Sequence, residues 1–313
     1  MRANAPNFSL FLLLGERCFL LIAVIGTTRL RPFHSRSREG NYLHIVSGME
    51  IKVHKLHWFP WIFVFSLTFS VMIVYTWSVL IGDVPVFLPY VSDAGGNAPQ
   101  SALFGLALIA CILSGLIPML VRFFAVRAVD CKRKKFVTLL NYLSLVSGVL
   151  SGVGIAMVAT NPVSHIRRDG TWLLPVLLPH VAGAALAFIF STGYFIIQTM
   201  FVWLLGPEHC RPLVGYARIV CTLGSIGGAV AMAACAPFHS LDDFKPNPHR
   251  GTIYRGLSPW SAVGEWILII GIMCNFLTLA ADMKAVSITV NLENIVSSEA
   301  QREKESNNEM QKF

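Results

Sequence analysis

Residues 136–166 read FVTLLNYLSLVSGVLSGVGIAMVATNPVSHI and contain no Asp, Glu, Lys or Arg. An α-helix rises 1.5 Å per residue, so about 20 apolar residues cross a hydrocarbon core about 30 Å thick. This run is long enough to do so, and its apolar residues do not alternate with polar ones as they would in a barrel strand. The stretch therefore predicts a membrane-spanning helix, because only helices and closed barrels satisfy their backbone hydrogen bonds in lipid.

Five further apolar runs have the same character, although Glu265 interrupts the last of them. Trimmed to spanning length, the six runs predict helices near residues 59–81, 102–124, 136–160, 180–205, 213–235 and 260–282. The composition agrees, because only 13% of residues are charged, 54% are hydrophobic and the mean hydropathy is +0.60. These values exclude a soluble enzyme. The net charge is +8, but the basic residues flank apolar runs instead of forming a nucleic-acid-binding face. The predicted fold class is all-α, a polytopic bundle of six transmembrane helices.

The distribution of Lys and Arg predicts the orientation of these helices. If the residues before the first span are cytosolic, 20 of the 25 basic residues lie on the cytosolic side. We therefore expect both termini to be cytosolic.

The two ends of the chain differ from the membrane domain, which we assign to residues 49–290. Residues 1–48 are predicted to be an extension foreign to that domain, with Met49 as an alternative start. A seventh span there would carry the charged pair Glu16-Arg17 near its centre, which is costly in lipid. Residues 291–313 are polar and charge-mixed, so we expect a disordered cytosolic tail.

The loop after the first span carries the most specific sequence pattern. It contains the six motif residues Phe87, Leu88, Pro89, Tyr90, Ser92 and Asp93, and continues to Phe104-Gly105. This loop resembles the "PFLPYISDTG…PPES…FG" loop of the damage-regulated autophagy modulator (DRAM) family, within the Frag/DRAM/Sfk superfamily. Segments 141–148, 179–188 and 265–282 resemble the third, fourth and sixth spans of that family. Val181 and Gln100 depart from the family pattern, which has acidic residues at both positions.

The resemblance implies a non-enzymatic protein of the lysosomal or endolysosomal membrane that modulates autophagy through proteins or lipids. The alternative is an Sfk-like organiser of phospholipid distribution or phosphoinositide signalling at the plasma membrane, or a factor that remodels GPI-anchor lipids. The chain contains no phosphate-binding loop, zinc-binding helix or nucleophile elbow, so we expect neither catalysis nor a cofactor. The expected partners are the bilayer and unidentified membrane or cytosolic proteins, and no nucleic acid.

Three titratable residues are predicted to lie at one membrane level on the lumenal side, namely Asp93, His180 and Glu265. Ionisable residues inside a membrane are functional candidates by default. In the structural alternative, Glu265 bonds to neighbouring backbone and His180 lies among headgroups.

A second set of residues forms a basic juxtamembrane cluster predicted to contact anionic lipids: Arg122, Arg127, Lys132, Arg133, Lys134 and Lys135. Arg218, at the cytosolic end of the fifth span, is expected to reach headgroups in the same way. The pairs Gly148/Gly152 and Gly224/Gly228 predict close backbone approach between spans.

Overall fold

The computed structural model describes residues 29–39, 42–130, 134–163, 173–206, 211–235, 259–284 and 286–293. These residues divide into two compact units: those from His57 to Asp282 form one, and those before and after that range form the other. The helical unit, His57–Asp282, is therefore shorter at both ends than the predicted membrane domain, residues 49–290.

The unit formed by the two ends of the chain contains an antiparallel sheet of order β1-β2-β3. The strands are β1 (Arg29–Glu39), β2 (Tyr42–Val53) and β3 (Ile288–Glu293). The sequence predicts a disordered tail from residue 291, but the first three residues of that tail, 291–293, belong to β3. They are ordered by pairing with β2, where Leu292 lies opposite Met49 and Glu293 opposite Gly48. Residues 1–28 and 294–313, on which the remaining predictions for the chain ends fall, lie outside the described residues.

The other unit is helical. Its helices are α1 (Trp58–Leu80), α2 (Val91–Ala94), α3 (Gln100–Val129), α4 (Lys135–Thr160), α5 (Leu174–Leu204), α6 (Pro212–Ala234) and α7 (Pro259–Met283). Within the described residues, all except α2 are long and apolar enough to cross a membrane, and these are the six spans that the sequence predicts. Helix α3 continues five residues beyond its predicted end, and α5 begins six residues before its predicted start.

Helices α3 and α7 are the most buried of the six. In the apolar 18-residue stretch of each helix, half of the residues of α3 and 56% of those of α7 are buried, against 22–28% for the other four helices. Large apolar side chains point outward elsewhere, such as Phe69 and Leu213, which are 71% and 80% exposed. Outward-facing apolar side chains suit a lipid environment, and polar groups on α3 or α7 are forced to find partners inside the bundle.

Glycines bring three pairs of helices into backbone contact: α3 with α4 at Gly105, α4 with α5, and α6 with α7. Of the four predicted glycines, only Gly228 takes part in such a contact. A Cβ added to Gly154 of α4 or to Gly183 of α5 would overlap backbone atoms of the facing helix. Gly228 of α6 and Gly264 of α7 are related in the same way. The predicted Gly148 and Gly152 instead face side chains of α3, and nothing lies within 4 Å of a Cβ on Gly224. Which glycine faces the backbone of another helix depends on the rotation of each helix about its axis, and the spacing of glycines in the sequence does not give that rotation.

Candidate functional site

The first loop, residues 81–99, is attached to helix α1 by two hydrogen bonds. The Tyr75 hydroxyl donates to the Val86 carbonyl at 2.5 Å, and the Ser78 hydroxyl donates to the Ala94 carbonyl at 2.7 Å. Ser78 is 1% exposed, so the second bond is well shielded. We call the end of the bundle that carries this loop the first-loop end.

The same loop is attached to helix α7 through its motif residues. The Trp266 indole N–H donates to the Pro89 carbonyl at 2.8 Å, and the Val91 backbone N–H donates to Glu265 Oε2 at 2.7 Å. Glu265 is only 5% exposed, and a hydrogen bond to a buried carboxylate is among the stronger kinds in proteins. Glu265 therefore bonds to backbone, as the structural alternative expects, and that backbone belongs to the motif loop.

Asp93 lies in the short helix α2 and is buried beside Glu265. Burial, and secondarily the charge of Glu265, raises the pKa of Asp93 well above its ordinary value of 3.8. Burial also raises the pKa of Tyr90 to about 12, against a hydrogen bond to Ser261 that lowers it. Two buried carboxyl groups whose charges interact favour a state in which a proton or a cation offsets one negative charge.

His180 lies on α5 and is 5% exposed, so it is buried and does not lie among headgroups. Its Nδ1 is 2.6 Å from the Asn161 carbonyl oxygen. Because a carbonyl can only accept, the neutral ring carries its proton on Nδ1 and has Nε2 as an acceptor.

An apolar cavity of about 120 Å³ connects two of the three predicted titratable residues. Its wall includes His180 and Glu265 at the first-loop end, together with Val91 and Ser92 of the motif loop. Asp93 is not part of the wall, although it interacts with Glu265. Glu265 is therefore the residue that the two others have in common: it shares the cavity wall with His180 and interacts electrostatically with Asp93.

The opposite end of the bundle holds a buried ion-pair cluster that the sequence analysis missed. Arg218 is fully buried, and its Nη2 donates to Asp282 Oδ2 at 2.7 Å while its Nε donates to Thr278 at 2.9 Å. Arg122 approaches the same carboxylate oxygen at 3.7 Å and donates from Nε to Gln198 at 3.1 Å. We call these residues, from α3, α5, α6 and α7, the Arg-Asp cluster.

These contacts correct two predictions. Arg122 is 6% exposed and Arg218 is 0% exposed, so neither side chain reaches lipid headgroups. The physical reason is that the Asp282 carboxylate lies closer to both guanidinium groups than the headgroups do. Each Arg side chain therefore pairs with Asp282 inside the bundle instead of extending along apolar surface to the headgroups. A signal was present in the sequence, because Asp282 and Arg218 both lie at the ends of spans, but their packing partners could not be read from it.

The Arg-Asp cluster leaves several buried polar atoms without a protein partner. Within the described residues these include Arg218 Nη1, Gln198 Nε2 and the Tyr194 hydroxyl. Two guanidinium groups share one carboxylate, so the cluster carries a surplus of positive charge.

Comparison with known proteins identifies the family. Residues 55–286 match the Frag1/DRAM/Sfk1/Cwh43P N-terminal domain family. The chain belongs to this family. It is 27% identical to DNA damage-regulated autophagy modulator protein 1 of Mus musculus and of Homo sapiens over 235 residues, which cover 75% of this chain and 93% of each relative. It is 31% identical to modulator of macroautophagy TMEM150B-B of Xenopus laevis over 168 residues, 53% of this chain and 66% of that relative. No solved structure matches the chain.

The matched range in this Frag1/DRAM/Sfk1 protein contains the motif loop, both polar regions and all six spans. Of the motif residues, Pro89 and Asp93 are buried, Leu88, Tyr90 and Ser92 are half-buried, and Phe87 is 67% exposed. The loop therefore belongs mostly to the packed structure and presents one large aromatic ring outward.

The rest of the predicted anionic-lipid cluster has a different environment from Arg122. Arg127, Lys134 and Lys135 are exposed at the end of the bundle opposite the first loop, which we call the basic end. Lys132 and Arg133 lie outside the described residues. Within the part of the chain that the structure describes, no group of three or more His, Cys, Asp or Glu residues could hold a metal ion.

Proposed function

We propose that this protein modulates autophagy from the lysosomal or endolysosomal membrane and catalyses no reaction. The observation that carries the proposal is the match to relatives named as autophagy modulators in mouse and human, over 93% of their length. The family match, over residues 55–286, is not confined to apolar spans, because it includes the loop whose backbone is attached to Tyr75, Ser78, Glu265 and Trp266. The names of the relatives, which describe modulators and no enzyme, support a non-catalytic role.

In this proposal the protein acts through its surfaces. The basic end presents Arg127, Lys134 and Lys135. With both termini in the cytosol, this end faces the cytosolic leaflet, where each basic residue near the surface contributes about 1 kcal/mol of attraction to anionic lipid. Membrane or cytosolic proteins that bind this end would couple the protein to autophagy.

The experiment follows a tagged protein in living cells. A C-terminally tagged chain is imaged beside lysosomal and plasma-membrane markers in fed and starved cells, and autophagic flux is measured after depletion and re-expression. We expect the tag to coincide with the lysosomal marker, and depletion to change flux in a way that re-expression reverses. Plasma-membrane signal with unchanged flux would contradict the proposal and would favour the lipid-organising alternative.

The proposed orientation has its own test. Antibody should reach the C-terminal tag after selective permeabilisation of the plasma membrane, without permeabilisation of the lysosomal membrane. A tag that becomes accessible only after the lysosomal membrane is opened would show that the orientation is reversed.

A further inference from the structure

The apolar cavity lies between five of the membrane-spanning helices, namely α1, α3, α4, α5 and α7, and the short helix α2. On α3 its wall extends from Phe104 to Met119, which corresponds to about 22 Å along the helix axis. Its volume of about 120 Å³ is roughly ten times the space that a cavity needs to hold one water molecule. A narrow cavity of this size suits a single alkyl chain of about ten carbon-sized atoms.

The walls along most of this length are apolar or built from small residues. Helix α4 contributes Gly148, Ser151 and Gly152, and α5 contributes Ala184 and Ala187. The Ser151 hydroxyl donates to the Ala187 carbonyl, so it presents no unused donor to the cavity. An apolar cavity without polar partners does not hold ordered water, and an apolar ligand gains free energy by filling it.

The first-loop end of the cavity has the opposite character. Glu265 forms part of the wall there, and Asp93 lies beside it. Within the described residues no basic side chain forms an ion pair with either carboxylate. Two further titratable residues line the wall. The Cys111 thiol donates to the Phe63 carbonyl, and His180 uses Nδ1 on the Asn161 carbonyl, so that in its neutral form it has only Nε2, an acceptor, left. This end therefore offers acceptors and negative charge.

We propose that the cavity binds a single-chain amphiphile with a cationic amine head, such as a long-chain primary amine. The alkyl chain lies between α3, α4 and α5, and the ammonium group lies at Glu265. An ammonium group supplies three donors and one positive charge, which match the buried acceptors and offset the charge of the paired carboxyls. A fatty acid would place a third carboxylate in the same region and is excluded by charge repulsion, and a neutral alcohol would gain only the burial of its chain.

The experiment uses photoactivatable probes of equal chain length: dodecylamine, dodecanol and dodecanoic acid, each with a diazirine at the chain end. The full-length protein is labelled in nanodiscs of zwitterionic lipid, so that the bilayer itself does not concentrate the amine. We expect the amine to label residues of the cavity wall on α3 and α4, with at least tenfold more labelling than either other probe. Unlabelled dodecylamine should compete for this labelling.

Three variants and one matched control locate the binding site. Ala184→Phe fills the cavity and should reduce amine labelling about tenfold, whereas Ala185→Phe, at the adjacent exposed position, should leave labelling unchanged. Glu265→Gln can still accept the Val91 N–H, so it tests charge with the loop contact kept. We expect it to reduce amine labelling about tenfold and to leave dodecanol labelling unchanged.

Gly152→Ala provides a gentler change, because its added Cβ would meet Leu116 at 3.5 Å, an ordinary contact. If Ala184→Phe fails to fold, Gly152→Ala replaces it in the experiment and should still reduce amine labelling. Absence of wall labelling by the amine, equal labelling by the alcohol or the acid, or full labelling of both cavity-filling variants would overturn the proposal. None of these readouts depends on location or autophagic flux, so this proposal and the proposed function fail separately.

Discussion

Removal of the single carboxylate of the Arg-Asp cluster should be the most damaging conservative change in the bundle. Asp282→Asn keeps the size of the side chain but leaves Arg122 and Arg218 without their shared anion. Arg218→Met removes the more deeply buried cation and leaves Arg122 paired with Asp282. We therefore expect Asp282→Asn to destabilise the protein more than Arg218→Met does.

The distances set the magnitude. At an effective dielectric constant of about 20, unit charges attract by about 6 kcal/mol at 2.7 Å and by about 4 kcal/mol at 3.7 Å. The cost of removing these groups from water opposes most of this attraction, and loss of one partner of a buried pair typically costs about 3–5 kcal/mol. Asp282→Asn affects two such pairs, so we expect a loss at or above the upper end of that range. Arg218→Met should cost at least about 1 kcal/mol less.

The assay is the free energy of unfolding of the purified protein, measured by SDS titration in bicelles at pH 7. Asp130→Asn, at the C-cap of α3, is the matched control and should change stability by less than about 0.5 kcal/mol, because the Asn side-chain oxygen can still accept the Lys134 backbone N–H. Asp282→Asn should also cost less in the Arg218→Met background than alone, because one guanidinium is then left unpaired instead of two. Equal costs in the two backgrounds, or a larger loss from Arg218→Met, would refute the reasoning.

Three further predictions use the same unfolding assay. Gly154→Ala should destabilise the protein by about 1–3 kcal/mol, because its Cβ would overlap backbone atoms of α5. Gly193→Ala is the control and should be neutral or stabilising, because nothing lies within 4 Å of its added Cβ. Equal effects of the two substitutions would contradict the packing of α4 against α5. Trp266→Phe should cost about 1 kcal/mol through loss of the bond to the Pro89 carbonyl and should increase cleavage of the first loop by added protease; unchanged cleavage would show that this bond does not hold the loop. The raised pKa of Asp93 means that the folded protein keeps a proton that the unfolded chain releases, so the free energy of unfolding should fall as pH rises from about 4 towards that raised pKa. Asp93→Asn should flatten this part of the profile, and a wild-type slope that survives the substitution would assign it to another group.

The six spans could be predicted from the sequence because hydrophobic length is a local property. The end of α3 could not, because trimming near Arg122 assumed that a charged residue marks the membrane boundary, whereas the helix continues to Val129 with Arg122 buried. The apolar run predicts a start of α5 at His180, whereas the helix begins at Leu174 with Pro175 in its first turn. A proline in the first turn is compatible with a helix start, so the signal was available.

The candidate site was partly accessible from sequence. The motif loop and Glu265 could be selected because a family resemblance and an intramembrane charge are visible in the chain itself. That Glu265 binds the Val91 N–H depends on how α7 packs beside the loop, 174 residues away in sequence. The pairing of β3 could not be predicted for a similar reason, because β3 pairs with residues 48–53, far away in the chain. That reason does not apply to β1 and β2, which are neighbours in sequence.

The Arg-Asp cluster also orders the events of biosynthesis. Asp282 is made 64 residues after Arg218, and Arg122 is made earlier still. At about 5–20 residues per second, α6 waits several seconds in the bilayer or at the insertion machinery before α7 delivers the neutralising carboxylate. A chain terminated before α7 would keep both guanidinium groups without this carboxylate. The cost of an Arg is about 2.5–3.5 kcal/mol at the middle of a membrane and is smaller near the ends of spans, where Arg122 and Arg218 lie. Such truncated chains should be retained and degraded by quality control, which makes the last span a checkpoint for completion of the whole bundle.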